Sequence, residues 1–173
     1  IYTNPIVTNG AYLWSSENNI LLFEQYVDNP NIPEETRRQI QAIVTNGKAN
    51  PNSFVLLGES ETDTITLEEI RAYPKKVSII IDKECTSATE EFLLKAKQSS
   101  KTTIYGYESS GGALDYSNLN AVITPSGYWY ATVPTTRSSR LPEYPVDPHG
   151  IAPDVLVDRE VKDLIMFIIN KNR

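Results

Sequence analysis

The chain has 173 residues, 40% hydrophobic and 22% charged, which supports about one folded domain and excludes a disordered tail. Its 16 Lys and Arg against 22 Asp and Glu give a net charge of −6, which disfavours binding to nucleic acids and anionic membranes. No apolar run reaches the ~20 residues of a membrane span. One Cys and one His exclude a disulfide framework and a nitrogen/sulfur metal cluster, and we expect no cofactor.

The first 72 residues are predicted to be helical and loop-rich. Ser16, or the serine before it, can cap a first helix, because a side-chain oxygen there accepts from the first-turn N–H groups. Pro33 opens a second helix that Asn46-Gly47 would end. Phe54–Leu57 is predicted to be a short strand, and Thr66-x-x-Glu69 has the form of a capping box that begins one more short helix.

A β-α-β unit follows. Val77–Asp82 is β-branched and almost continuously apolar, which predicts a parallel strand buried on both faces. A helix is predicted from Ala88 to Lys97, and Thr102–Tyr105 is predicted to be the second strand, with a right-handed crossover. The helix residues expected to face the core are Ala88, Phe92, Leu93 and Ala96.

The last third of the chain predicts a hairpin and a helix. Asn120–Thr124 and Tyr128–Val133 flank a Pro-Ser-Gly turn and indicate two antiparallel strands. Val161–Asn170 is an amphipathic helix. The fold class is therefore α/β. We divide the chain into a helical, loop-rich part (1–72), an α/β core (73–158) and a C-terminal helix (159–173).

Ser87 is the candidate nucleophile. It follows a predicted strand and begins a helix, where reactive groups gather in open α/β sheets. First-turn N–H groups are unpaired and partly positive, so the N–H of Ala88 could hold the oxygen of a carbonyl that the Ser87 hydroxyl attacks. The alternative is structural, because Ser87-x-x-Glu90 is also a capping box. Neither G-x-S-x-G nor S-x-x-K is present at this serine.

Four segments in order resemble the C-terminal processing (tail-specific) protease family: Val77–Asp82, Thr86–Glu90, Ile104–Gly112 and Gly150–Val155. The resemblance covers about residues 73–158. It implies a crotonase-like/ClpP-like α/β core with peripheral helices, and a serine peptidase that acts on peptide or protein substrates outside the cytoplasm. It also implies that Ser87 is the nucleophile and that Ala88 supplies one oxyanion N–H.

The general base of that family is not found in this sequence. No Lys occurs between Lys101 and Lys162, which disfavours the Ser–Lys branch. The chain is more similar to the tricorn-like and retinoid-binding-protein-like branch, whose base is a His well upstream of the nucleophile. The one His, His149, lies downstream and is interpreted as a loop residue. We therefore expect the base and a second oxyanion N–H upstream of Ile1, and expect 1–173 alone to be an inactive C-terminal part of the catalytic domain.

Two carboxylates fit the supporter of that base in the resemblance. Asp147 stands three residues before Gly150, and Glu143 stands seven before it. The sequence leaves open which of them acts, or whether both are ordinary loop carboxylates. Arg137 and Arg140 could bind the carboxylate of a substrate C-terminus, although a solvated loop is the preferred interpretation.

The leading functional hypothesis is thus a serine endopeptidase that works through an acyl-enzyme. One alternative is a non-catalytic module that binds peptides or hydrophobic ligands on the same fold. A weaker alternative is an acyl-CoA enzyme on a crotonase-like scaffold, which would make the Ser-Ala-Thr-Glu run coincidental.

Overall fold

The computed structural model describes residues 1–3 and 5–172, which form a mixed α/β fold. The strands are β1 (Ile6–Asn9), β2 (Ala11–Trp14), β3 (Phe54–Leu56), β4 (Thr62–Ile65), β5 (Val77–Ile81), β6 (Thr102–Gly106), β7 (Tyr116–Ile123), β8 (Tyr130–Ser138) and β9 (Val155–Leu156). The helices are α1 (Glu17–Val27), α2 (Glu34–Ala49), α3 (Ala88–Ala96) and α4 (Leu164–Lys171).

The chain divides into two compact units. The first combines Ile1–Thr8, Thr64–Leu114 and Pro145–Arg173, and the second combines Asn9–Asp63 and Asp115–Tyr144. The candidate nucleophile and the three motif segments around it all belong to the first unit.

A parallel sheet in the order β5-β6-β9 organises the first unit. β5 and β6 pair in parallel with Ile81 opposite Gly106, so the predicted β-α-β unit is confirmed. The helix between them, α3, packs on one face of this sheet. The buried core on that face consists of Ile81, Leu93, Ile104, Leu114, Val146 and Ile151.

The prediction that β5 is buried on both faces is wrong. On the other face of the sheet, Ile168 of α4 packs against Tyr105 of β6 and against Val157, the residue that follows β9. β5 is an edge strand of the sheet and Ile80, pointing to that face, remains 45% exposed. A continuous apolar run therefore marks a parallel strand here without marking burial of both its faces.

The second unit contains an antiparallel sheet in the order β3-β2-β8-β7, together with α1 and α2. Ser16 caps α1 by accepting from the Asn19 N–H at 3.3 Å. α2 continues past the predicted stop at Gly47, and this glycine lies where α2 closely approaches α1. A Cβ there would come 2.2 Å from the Cδ1 of Ile20. The unit's buried core is Leu13, Ile20, Val44 and Val55.

The first 72 residues contain more strand than the sequence predicts. β3 is confirmed, but β1, β2 and β4 replace expected loops, and β1 pairs with β4. The short helix predicted to begin at Thr66 does not form, since residues 66–69 are irregular. A capping box offers only a start signal, and a short helix in water needs an amphipathic face packed against a partner.

The predicted hairpin is confirmed and is longer than expected. β7 and β8 pair in antiparallel register from Tyr116 opposite Arg137 to Ile123 opposite Tyr130. The final helix is also confirmed, with Asp163 as its cap. Within the described residues, no helix combines the length and apolarity that crossing a bilayer requires.

Asp154 fastens β9 to the sheet. Its Oδ2 accepts from the Ile104 N–H at 2.8 Å, its own N–H donates to the Ile104 carbonyl at 2.8 Å, and its Oδ1 accepts from Lys97 Nζ at 2.8 Å. Partial burial raises the pKa of Asp154, but the bonds from Lys97 and Ile104 outweigh it, and the pKa lies below its ordinary value.

This contact predicts an acid-sensitive stability. Because the pKa of Asp154 is lower in the folded state, its stabilising effect is present above the unfolded pKa and disappears as pH falls through the folded value. We expect Asp154→Asn to lower the free energy of unfolding at neutral pH, and the difference from wild type to shrink below about pH 4. Denaturant titrations at both pH values, with the exposed Asp28→Asn as control, measure it. A pH-independent difference would contradict this assignment.

Candidate active site

Ser87 occupies a strained turn between β5 and α3. Its backbone angles are φ 51° and ψ −111°. These are the angles of the first central residue of a type II′ turn, a conformation that glycine adopts readily and that costs a residue with a side chain about 1–3 kcal/mol. Such a serine on a sharp strand-to-helix turn is the backbone arrangement of a nucleophile elbow, although the Gly-x-Ser-x-Gly sequence is absent.

The first turn of α3 leaves a donor beside this serine. The N–H of Glu91 donates to the Ser87 carbonyl at 3.0 Å, and the N–H of Thr89 donates to the Thr86 carbonyl at 3.0 Å. Within the described part of the chain, the Ala88 N–H has no acceptor. Ser87 Oγ faces the Glu90 N–H as in a capping box but forms no side-chain cap hydrogen bond of normal geometry. The half-buried hydroxyl and the Ala88 N–H therefore stand side by side at the helix start.

Glu90 lies beneath this turn and is fully buried. Its Oε2 accepts from the Ser87 N–H at 2.9 Å. Its Oε1 accepts from the Ser109 hydroxyl at 2.6 Å and from the Gly111 N–H at 2.8 Å. Three donors therefore converge on one carboxylate, and they come from two different segments of the chain.

The segment 109–112 also contacts the loop around Gly150. Ser109 Oγ accepts from the Ile151 N–H at 2.7 Å, and the Ser109 N–H donates to the Ile151 carbonyl at 3.2 Å. Gly111 and Gly150 have φ values of 66° and 81°. A Cβ at Gly111 would come 2.4 Å from the Gly150 nitrogen, so the backbones meet where no side chain fits.

Two further bonds hold the ends of β5 and β6 together. The Ser110 N–H donates to the Cys85 carbonyl at 2.8 Å, and Thr86 Oγ1 donates to the Gly112 carbonyl at 2.8 Å. Three of the segments singled out in the sequence, 86–90, 104–112 and 150–155, therefore form one hydrogen-bonded cluster around the Ser87 turn.

The two candidate supporting carboxylates fall in different units. Asp147 is half-buried in the first unit, and its carboxylate oxygens accept from the Leu114 N–H at 3.3 and 3.4 Å. Glu143 is exposed in the second unit. His149 is exposed, and among the described residues its imidazole has no hydrogen-bond partner. The structure thus places Asp147, and not Glu143, in the unit that carries Ser87.

Neither Arg137 nor Arg140 lies in a solvated loop, so that interpretation is wrong. Arg140 is 7% exposed, and its Nη2 lies 3.2 Å from the buried Oδ1 of Asp115. Arg137 belongs to β8, and its guanidinium lies over the rings of Phe54 and Tyr12 at 4.4 and 5.3 Å. Both cations are engaged in structural contacts.

A cavity of about 420 Å³ opens at the carboxyl ends of β5 and β6. The guanidinium of Arg159 lies 5.7 Å from the ring centre of Tyr107 at this cavity. Its wall comes from the loops that continue toward Ser87 and Ser109. The lining residues are Asp82, Lys83, Glu84, Tyr107, Glu108 and Arg159.

Neither the deep burial of Glu90 nor its link to Ser109 is predicted from the sequence. Ala88 and Phe92 are predicted to face the core, but both are exposed, and the inward residues of α3 are Glu90, Leu93 and Ala96. These three are spaced i, i+3 and i+6, so they share one helix face. The spacing of Glu90 on the same helix face as Leu93 and Ala96 was the sequence signal that could have predicted its burial.

No protein-family profile and no curated protein matches the chain. Among solved structures, mature CPAF complexed with lactacystin has a TM-score of 0.55 at 12% identity, covering 90% of this chain and 34% of CPAF. An alanine-for-serine variant of CPAF has a TM-score of 0.57 at 12% identity, and the match covers 91% of this chain and 34% of CPAF. The photosystem II D1 C-terminal processing protease has a TM-score of 0.40 at 21% identity, and the match covers 57% of this chain and 24% of that protease.

The chain therefore spans about a third of the length of CPAF and shares its fold over that part. At this level of identity, the similarity concerns the course of the backbone. The chemistry of the site has to be argued from its own residues.

Proposed function

We propose that this chain carries the nucleophile of a serine endopeptidase. The observation that carries the proposal is the conformation of Ser87, a non-glycine residue held in a type II′-like turn next to the Ala88 N–H, which has no acceptor among the described residues. Strain of this kind persists only where the surrounding structure over-determines it, and it is concentrated at functional sites. The fold shared with CPAF, a peptidase, supports the same class of activity.

The reaction would proceed in two halves. In the first, Ser87 Oγ forms a bond to the scissile carbonyl carbon while its proton passes to a general base, and the Ala88 N–H holds the developing oxyanion. The C–N bond then breaks, and the amine leaves with the proton. In the second half, water attacks the acyl-enzyme by the same route and releases the acid. No metal or organic cofactor is required.

The base of the proposed mechanism is a histidine outside residues 1–173. The imidazole of His149 is exposed and, within residues 1–3 and 5–172, lacks the oriented hydrogen bond that a catalytic base needs. Asp147 is the preferred carboxylate to orient that base, because it lies on the segment adjoining Gly150, which contacts the cluster around Ser87. A second oxyanion N–H would also come from outside these residues.

The test uses the complete polypeptide that includes this sequence. We expect Ser87→Ala to reduce hydrolysis of an unfolded protein substrate by at least about 10⁴-fold, the scale of loss when a nucleophilic serine is removed. The matched control is Ser78→Ala, which removes an exposed hydroxyl from β5 and should leave the rate unchanged. Circular dichroism checks that both variants fold.

Two outcomes would overturn the proposal. Hydrolysis that survives in Ser87→Ala would assign the activity to another residue. An intact protein that neither cleaves substrate nor reacts with a fluorophosphonate, yet binds unfolded peptides, would favour the non-catalytic binding module on the same fold.

A further inference from the structure

The burial of Glu90 is greater than helix capping requires. A capping-box glutamate reaches back to the N-cap N–H from an exposed first turn. Here the side chain is fully buried, and within the described residues no Lys, Arg or His forms an ion pair with it. A buried carboxylate without a cation is costly unless hydrogen bonds satisfy it. Three hydrogen bonds from the Ser87 N–H, the Ser109 hydroxyl and the Gly111 N–H satisfy its two oxygens.

The two oxygens of Glu90 have separate tasks. Oε2 accepts from the Ser87 N–H, whereas Oε1 accepts from both donors of the neighbouring segment, Ser109 and Gly111. The carboxylate therefore anchors the strained turn with one atom and the 109–111 segment with the other.

The bond to Ser87 has a consequence for the oxyanion. Since Oε2 occupies the Ser87 N–H, that donor points into the protein. The next N–H along the chain, that of Ala88, remains without an acceptor in the part of the chain that the structure describes. The two amides are joined through the Cα of Ser87, so with the Ser87 N–H bound to Oε2, its φ of 51° and ψ of −111° set the direction of the Ala88 N–H.

We propose that Glu90 is a positioning residue for acylation of Ser87. Its Oε2 fixes the serine turn in the reactive conformation and directs the Ala88 N–H toward the reacting carbonyl. Its Oε1 performs the separate structural task of holding the 109–111 segment. The inference rests on the proposed function, because it concerns the reactivity of the Ser87 hydroxyl.

Glu90→Gln separates these two tasks. If the retained Oε1 stays on Ser109 and Gly111, the new amide nitrogen faces the Ser87 N–H, where two donors meet and no hydrogen bond forms. If the amide is flipped, its nitrogen instead faces the Ser109 hydroxyl and the Gly111 N–H, so two donors lose their acceptor. We therefore expect the variant to lose the Ser87 anchor selectively.

The measurement is phosphonylation of the complete protein by a fluorophosphonate. In this step the Ser87 Oγ–P bond forms, the P–F bond breaks, fluoride leaves and the hydroxyl proton passes to the base. We expect Glu90→Gln to lower the rate at saturating probe by about 10- to 100-fold without a change in probe affinity, since a small misplacement of reacting groups has effects of this size. Glu91→Gln, the adjacent exchange on α3, is the matched control and should react like wild type.

Ser109→Ala provides the complementary variant. It removes the hydroxyl from Oε1 but leaves the bond between Oε2 and Ser87. We expect its thermal midpoint to fall, while the rate per folded molecule stays within about threefold of wild type. A Ser109→Ala rate as low as that of Glu90→Gln, or a Glu90→Gln rate within twofold of wild type, would overturn the inference.

A measurement on the wild-type protein is independent of whether the variants fold. Amide hydrogen exchange should show the Ser87 N–H protected by at least about tenfold, because its acceptor is buried. A freely exchanging Ser87 amide would overturn the inference. Loss of reactivity in Ser87→Ala together with a normal rate in Glu90→Gln would overturn this inference alone, whereas reactivity that survives in Ser87→Ala would overturn the proposed function.

Discussion

Gly150→Ala is expected to lower the free energy of unfolding by about 3–5 kcal/mol, the range of the most severe single substitutions. Gly150 has φ 81°, and a Cβ there would lie 2.3 Å from the Ser109 carbonyl oxygen. That oxygen belongs to the backbone of the segment next to Glu90, so it cannot move aside as the end of a flexible side chain would. Denaturant unfolding monitored by far-UV circular dichroism, which follows both units, measures the loss.

Gly127→Ala is the control that separates the cost of a positive φ from the cost of the steric clash at Gly150. Gly127 has φ 74° in the β7–β8 turn, and no atom lies within 4 Å of the position of its Cβ. It should lose only the ~1–2 kcal/mol that a left-handed conformation costs a residue with a side chain. Equal losses for the two variants would contradict the close approach of the Gly150 and Ser109 backbones.

Arg140→Met is the second substitution with a large expected effect. The guanidinium pairs with Asp115 at 3.2 Å, and both side chains are buried. Methionine retains the apolar stem but leaves the Asp115 carboxylate buried without this cation. Removing one partner of a buried pair costs about 3–5 kcal/mol, because the remaining charge is uncompensated.

Arg38→Met is the matched control for this ion pair. Arg38 contacts Glu34 and Glu35 at 3.6 and 3.5 Å, but its side chain is 70% exposed. Exposed ion pairs contribute about 1 kcal/mol or less. If Arg140→Met is no more destabilising than Arg38→Met, the Arg140–Asp115 pair is not the buried interaction described above.

Elements with strong local signals could be predicted from the sequence. Ser16 caps α1 as expected, and β5, α3 and β6 form the expected parallel unit. These signals act within a few residues: a capping side chain, a β-branched run, a helical stripe. They are present whatever the rest of the chain does.

Elements that depend on distant partners could not be predicted. β1, β2 and β4 are four residues each and are defined by pairing with strands far along the chain. Gly47 has the local signature of a helix stop, yet its role is set by Ile20 of another helix. A local stop or start signal yields to tertiary contacts of this kind.

The candidate site shows the same division. The position of Ser87 between strand and helix could be predicted, whereas its φ of 51° could not, because the Ser87 N–H bonds to Glu90 and Glu90 in turn to Ser109 and Gly111. The placement of Asp147 and Glu143 in different units likewise depends on tertiary contacts, and sequence spacing alone carries no information on that.

The central claim is that the Ser87 hydroxyl is the reacting atom. Its most direct test is to treat the complete protein with a fluorophosphonate, digest it and locate the adduct by tandem mass spectrometry. We predict a single phosphonyl group on Ser87. An adduct on any other residue, with Ser87 unmodified in an active protein, would contradict the account.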